Sequence, residues 1–426
     1  MPSFPPVFKI TPTVQQYDWG KLGLSSKVAQ FAKAAGLPDF SVDDNAPYAE
    51  LWMGTHPNSP SLVSSTGETL SNHLASHPEL MGESVVNRFD AADGNLPFLF
   101  KVLAIEKALS IQSHPDKRTA EVLHAQRPDI YKDPNHKPEM ALALTPFTAL
   151  CGFAPLPQIL TYLSATPEFA ALVPSSISDA FAALARSSTP TGAAEKAALK
   201  DVFAAVMTAS ETDVKTQLGR LVERYSAGKE HEEEKKVKSL VLRLNEQFPG
   251  DIGIFCAFML NYVHLNPGEA IFLGAGEPHA YVSGDIMECM ANSDNVIRAG
   301  LTPKLRDIPN LISGLTYAAA LPTQHQVRPA PFASASHSTL YDPPIPEFSV
   351  VQVVLPSGER ESHPSVAGPS IAIVTEGRGS VGWSEGKGGE VDVDVGSVLF
   401  ISAGLGVEFR APAEGGMTVY RAFVEA

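Results

Sequence analysis

Apolar and polar positions alternate in three successive textures along the chain. Residues 1 to about 150 carry short apolar runs broken by Pro, Gly, Asn and Asp, as in Tyr48-Ala-Glu-Leu-Trp-Met-Gly-Thr-His-Pro57. Punctuation at such short intervals predicts many strands and a helix or two. From about Leu156 to Phe248 the texture turns to Ala, Leu, Glu and Lys. Val237, Leu240, Val241 and Leu244 recur at i, i+3, i+4, i+7, and so do Leu218, Leu221, Val222 and Tyr225. That period predicts amphipathic helices, with breaks at Pro167, Pro174, Pro190 and Gly192. The charged run His231 to Lys236 reads as a solvated helix face. After Gly250 the strand texture returns and continues to the end of the chain.

Two stretches of this last part resemble one another. Gly268 is followed by five residues and then Gly274-Ala-Gly-Glu-Pro-His279; Gly396 is followed by five residues and then Ser402-Ala-Gly-Leu-Gly-Val407. In each, the first Gly suits a turn, the apolar run a buried strand, and the second cluster of small residues another tight turn. The repetition suggests two related β-barrels. Only the first copy ends in a histidine; the second ends in Val407.

Composition narrows the class. Of 426 residues 44% are hydrophobic, enough for sizeable cores in two or three domains. The formal charge is -15 with no basic cluster, which argues against a nucleic-acid or anionic-membrane binder. An anionic substrate would need local cations to override that field. Cys151, Cys256 and Cys289 are odd in number and widely spaced, which fits a reducing compartment, the cytoplasm. Met1 to Ile10 lacks a basic region followed by an apolar run, so no signal peptide is expected. No stretch reaches the roughly 18 to 20 apolar residues of a membrane span.

Three segments carry candidate chemistry. If residues 108 to 114 are extended, Ser110, Gln112 and His114 share one face and Leu109 and Ile111 the other. In Asn135-His-Lys-Pro-Glu-Met140, Lys137 and Glu139 alternate onto one face, the residue before Pro138 being biased toward extended geometry. In Gly276-Glu-Pro-His-Ala-Tyr281, His279 and Tyr281 share a face. Alone, each segment could be ordinary surface or a satisfied structural histidine. Together, two imidazoles, a carboxylate and an amide oxygen make an N/O donor set without thiolate. That set suits Zn²⁺ or another borderline dication with an open position. One anionic ligand leaves a net positive charge, as a Lewis acid polarising a substrate oxygen requires.

At these residues the chain resembles the type I phosphomannose isomerases, zinc enzymes of the cupin superfamily, in their eukaryotic and especially fungal form. The resemblance runs through Tyr17-Asp-Trp-Gly-Lys21, Tyr48 to His56, Leu96-Pro-Phe-Leu-Phe-Lys101, Leu109 to Lys117 and Asp133 to Met140. It continues through Gly274 to Tyr281 and through Glu288 to Lys304, and is loose in the insert and the last hundred residues. It implies a mainly β bicupin, two jelly-roll-like barrels with an α-helical insert. The implied domains are a discontinuous catalytic cupin (1–153 and 250–325), the insert (154–249), and a C-terminal cupin-like domain (326–426) without metal ligands. It further implies Gln112, His114, Glu139 and His279 as ligands of one Zn²⁺ and Arg298 as the catalytic arginine. The implied reaction interconverts mannose 6-phosphate and fructose 6-phosphate through a cis-enediolate, supplying GDP-mannose.

Glu288 and Lys137 are the candidates for proton transfer; a Glu beside a dication carries protons poorly unless burial compensates. Ser110, Lys101, Tyr281, Asp294 and Lys304 are candidates for substrate or phosphate contact, with Arg306 or Lys117 as substitutes. A monomer acting on a small sugar phosphate, with no nucleic acid or membrane partner, is expected. The rivals are an iron-dependent cupin dioxygenase, which would want more imidazoles, and a silent sugar-binding bicupin, which would have eroded ligands in both barrels.

Overall fold

The structure, a computed structural model, describes residues 4–186, 191–384, 386 and 388–425. Among the described residues its strand-forming runs pair into two antiparallel sheets of eleven strands each and a two-stranded ribbon of Lys21–Leu22 with Pro47–Tyr48. The spine of the first sheet is the thirteen-residue strand His279–Ala291. Its first half pairs with Phe147–Phe153 and, at His279, with Gln112. Its second half pairs with Phe98–Ile105 on one side and Glu139–Ala143 on the other. The change of partners falls at Gly284, where φ is +117° and a Cβ would lie 2.7 Å from the Pro146 carbonyl oxygen. Only glycine fits so close an approach in that conformation.

The second sheet is built on Ser370–Trp383 and Met417–Phe423, with Ser349–Leu355 and Val398–Ile401 beside them. The first strand of the chain, Val7–Thr11, joins this second sheet by pairing with Val398–Ile401. The two Gly turns of the repeat behave alike: Gly268, Gly276, Gly396 and Gly404 all have positive φ, and strands Ala270–Leu273 and Val398–Ile401 lie between them.

Alternation along the central strands decides what faces what. Phe98, Phe100 and Val102 point into a core that also holds Met140, Met287, Ile371, Ile373, Phe400 and Tyr420, so the two sheets share one apolar layer. Leu103 and Ile105 face the first sheet's own interior with Phe147, Tyr281 and Ile286. Lys101, between Leu99 and Leu103, is thereby turned to that interior too.

Helix and strand each account for 30% of the chain, so the protein is mixed α/β rather than mainly β. The helices concentrate in the insert: Leu156–Ala165, Pro167–Ala170, Ser175–Leu184, Ala193–Met207, Glu211–Ser226 and Lys235–Gln247. Both periodic quartets face its core, with Val222 at the margin. Pro167, Pro174 and Gly192 start helices as expected; Pro190 lies outside the described residues. The same core includes Ile111, Ile297 and Ala299. These alternate with Gln112 and Arg298, so the insert packs on the back of the two strands that carry them.

The run His231 to Lys236 is not simply solvated. Glu234 is fully buried. It accepts from the His231 backbone amide at 2.6 Å and from both terminal nitrogens of Arg224. Arg224 also donates to both oxygens of Glu168. A capping box plus a two-carboxylate guanidinium clamp makes burial of that charge tolerable. Arg224→Met would strand two carboxylates, and we expect a loss of about 3 kcal/mol in denaturant unfolding with unchanged metal content. A loss below about 0.5 kcal/mol, the scale of an exposed pair, would contradict this.

Candidate metal centre and active site

His114 stands just after the short strand Ile111–Ser113, and His279 opens the long spine strand. The His114 Nδ1–H donates to the Asn295 carbonyl at 2.6 Å, and the His279 Nδ1–H donates to the Glu277 carbonyl at 2.9 Å. A backbone carbonyl can only accept, so both rings carry their proton on Nδ1 and leave Nε2 as a lone pair. Both Nε2 atoms are buried without a hydrogen-bond partner. Each lies 3.3 Å from one oxygen of Glu139. The three residues' ligating atoms fall within 4.8 Å of one another. Burial pushes the His114 imidazole down to about 4, with Glu139 opposing, so it is neutral at physiological pH.

Two facing lone pairs and a carboxylate, with no proton between them, fit a divalent cation. The surrounding charge agrees. Glu50, Glu139 and Glu288 are buried acids, and Lys101 and Lys137 are the ammonium groups that meet them, which leaves one negative charge in excess. Gln112 is the cross-strand partner of both His279 and Arg298, at the separation where side chains on one face meet.

Behind Glu139 runs a chain of polar contacts. Lys137 Nζ lies 3.1 Å from Glu139. The Tyr281 hydroxyl donates to Glu288 at 2.9 Å and lies 3.5 Å from Glu139. Lys101 Nζ lies 3.2 Å from Glu288 and 3.3 Å from Glu50, and the Trp52 indole N–H donates to Glu50. Burial would weaken the Lys101 ammonium, but Glu50 and Glu288 outweigh it and raise its pKa. Glu139 is also opposed by burial, yet Lys137 holds it well below the usual carboxylate range. Glu288 goes the other way: burial, with the repulsion of Glu139, raises it despite Lys101. Two adjacent carboxylates are thus driven apart, one held ionised and one made easier to protonate.

The other expected residues scatter. The strand expected over 108 to 114 is regular only at Ile111–Ser113; Leu109 packs on the sheet interior and Ser110 is half-buried ahead of the strand. Lys101 faces two carboxylates rather than open space. Asp294 holds His56 at 3.3 Å and accepts from Asn58. Lys304 is exposed in the loop after Ile297–Gly300. Arg298 is half-buried, with its pKa lowered by burial and no carboxylate in ion-pair reach among the described residues.

Sequence reasoning missed Glu50, Trp52, Asp133 and Asn295. Glu50 and Trp52 sit two apart on a strand, and that spacing within Tyr48 to His56 was the available signal. Asn295 donates from its side-chain amide to the Asp133 and Asn135 carbonyls while its own carbonyl orients His114. No local pattern announces that role.

Fold and site together describe a candidate metal site, two histidines and a glutamate, buried against an antiparallel sheet. Profiles of type I phosphomannose isomerase match three stretches: the catalytic domain over residues 7–156, the helical insertion domain over 172–260 and the C-terminal domain over 338–385. The mannose-6-phosphate isomerase of Cryptococcus neoformans is 49% identical over 99% of this chain and 100% of its own length. That of Saccharomyces cerevisiae is 45% identical over 98% of this chain and 99% of its own. A crystal structure of a phosphomannose isomerase variant from Salmonella typhimurium superposes with TM-score 0.80 at 30% identity, covering 99% of this chain and 100% of that one. A zinc-bound mannose 6-phosphate isomerase gives TM-score 0.78 at 29% identity over the same shares. The chain belongs to the type I phosphomannose isomerase family.

The acid chain makes a pH-dependent prediction. Lys101→Met leaves Glu50 and Glu288 without their ammonium, at a cost of about 3 kcal/mol or more at neutral pH. Glu288, already raised by burial, would then ionise still less readily in the fold than in the unfolded chain. The deficit should therefore grow as pH rises through and above the carboxylate range, and shrink as pH falls. Urea unfolding of both proteins at about pH 5 and about pH 8 checks this; a deficit equal at both would contradict it.

Proposed function

We propose that the chain is a zinc-dependent mannose-6-phosphate isomerase that interconverts mannose 6-phosphate and fructose 6-phosphate. The observation that carries this reading is the pair of imidazoles whose buried Nε2 atoms, without a hydrogen-bond partner, face Glu139, in a chain whose full-length relatives bear that name. We take His114, Glu139, His279 and the Gln112 amide oxygen as the ligands of one Zn²⁺. Bound there, the ion supplies Lewis-acid polarisation of the sugar oxygens.

The chain's own groups do the rest. In the direction of fructose 6-phosphate, a base takes the C2 proton and returns it to C1 while a hydroxyl proton passes from O2 to O1. No co-reactant is needed. Glu288 is the better base, because its raised pKa suits it to gain and lose a proton, whereas Lys137 is tied to Glu139. Tyr281 and Lys101 orient Glu288. The unpaired guanidinium of Arg298, rear-packed by the insert, offsets the negative charge of the enediolate. Ser110 and Lys304, which has no ion-pair partner among the described residues, are the proposed phosphate contacts, with Asp294 at the rim.

The domain reading is a bicupin: a catalytic cupin from 1–153 and 250–325, the insert 154–249, and a C-terminal cupin-like domain 326–426. The parallel Gly turns of the two sheets support it, with Val7–Thr11 lent to the second sheet. Buried Val407 offers that sheet no ligand. Three free buried cysteines and the lack of any helix among the described residues able to cross a membrane support a cytoplasmic enzyme.

A coupled assay of fructose 6-phosphate formation, with and without chelator, tests the reading. Full turnover in protein shown to be metal-free would sink it. His279→Ala and Glu139→Ala should lose metal and activity together. Arg298→Ala should keep its zinc and its fold and lose about two to three orders of magnitude in kcat with a far smaller change in KM. Arg298→Lys should rescue poorly, since an ammonium lacks the planar fork of donors. A raised KM with kcat preserved would instead make Arg298 a phosphate anchor.

A further inference from the structure

The second sheet encloses a polar chain that the proposed reaction does not use. His363 pairs across strands with Val407, as Gln112 pairs with His279 in the first sheet, so the position corresponding to the metal site is not purely apolar. Arg421, on Met417–Phe423, points into the same interior and is fully buried. Its Nη1 lies 3.3 Å from His363 Nδ1, and its Nε donates to the Ser370 hydroxyl at 3.0 Å. His363 Nε2 lies 2.8 Å from the Ser338 hydroxyl, which donates to Glu361. One proton arrangement satisfies every link. Arg421 donates to Nδ1, the ring proton sits on Nε2 and goes to Ser338, and Ser338 gives its own to Glu361. Glu361 also accepts the backbone amides of Ser336 and His337 at 2.5 and 2.7 Å. The histidine is neutral, held down to about 3 by burial and by Arg421.

This chain leaves the cation undercompensated. Burial lowers Arg421 to about 10, so it still carries its charge at neutral pH. Its carboxylate lies three hydrogen bonds away, and Nη2 is buried with no hydrogen-bond partner among the described residues. A buried guanidinium normally meets a carboxylate directly, because leaving one unpaired costs several kcal/mol. Aromatic rings flank the Arg421–His363 pair: Phe332 and Phe409 have centroids 4.8 and 4.9 Å from the imidazole, and Phe423 lies 5.9 Å from the guanidinium.

We propose that the interior of the second sheet is a binding site for a small monovalent anion of the halide class, held on Arg421 Nη2 among the rings of Phe332, Phe409 and Phe423. The chemistry selects the class. One free guanidinium N–H in an apolar wall can hold a weakly hydrated monovalent anion but offers too few donors to replace the hydration of a phosphate or sulfate. A cleft of about 330 Å³ lined by Ser362, His363, Gly382, Trp383, Val407 and Arg410 reaches His363, the neighbour of Arg421. The site is independent of the catalytic reading: it shares no residue with the candidate metal centre.

The test uses the full-length, zinc-loaded protein. Crystals soaked in bromide should show an anomalous peak at hydrogen-bond distance from Arg421 Nη2. Thermal unfolding at constant ionic strength should show a saturable rise in Tm with bromide or chloride against a gluconate background, and Arg421→Met should abolish the saturable part. The soaked wild-type crystal decides the matter even if that variant fails to fold. No bromide in the second sheet's interior, an equal halide response in a folded Arg421→Met, or saturation by phosphate but not by halide would each overturn the proposal.

Discussion

Two hydrogen bonds from imidazole to backbone carbonyl govern the rest of the site. Because Asn295 and Glu277 accept from the Nδ1 atoms of His114 and His279, both Nε2 lone pairs are turned onto Glu139 with no proton to spare. Everything near them maintains that choice. Asp133 accepts from Ser293, from the Asp294 amide and from the Asn295 side chain, so the loop that supplies the first carbonyl is clamped to the segment that leads into Lys137 and Glu139. The second carbonyl belongs to the Gly276 turn, where a Cβ would lie 2.8 Å from the Gly314 carbonyl oxygen. Such outer contacts fix ring orientation and tautomer before any ion arrives.

The same constraint explains the unusual charge of the interior. Three acids and two ammonium groups share a space that an ordinary core would fill with leucine. A dication changes the sign of the balance and relieves the excess carboxylate, so folding and metal binding support each other. The helical insert contributes from behind. Ile111, Ile297 and Ala299 belong to its core, which stiffens the two short strands that present Gln112 and Arg298. Three residues of strand would be poorly ordered alone; packing on the insert holds them.

Much of this was legible in the sequence, and the boundary is physical. Period-2 alternation correctly put His279 with Tyr281 and Lys137 with Glu139, because those segments are extended and half their side chains must face inward. Period 3.6 found the insert's buried faces for the same reason. Alternation alone could not say that Glu50 and Trp52 meet Lys101 and Glu288, since that depends on which strands pair across the sheet. Nor could it show that Val7–Thr11 crosses to the other sheet, or that Glu234 in a charged run is buried on Arg224. Those outcomes are set by long-range contacts that leave no local trace. The regular strand expected at 108 proved shorter because Leu109 turns into the interior beside Tyr281, whose carbonyl accepts its amide.

The central claim is that two histidines, a glutamate and an amide oxygen hold one zinc ion. X-ray absorption at the zinc edge of the purified, untreated protein tests it most directly. The predicted spectrum has only N/O neighbours at about 2.0–2.2 Å and the outer-shell scattering of two imidazoles. A sulfur neighbour at about 2.3 Å, or a zinc ion without imidazole scattering, would contradict the account.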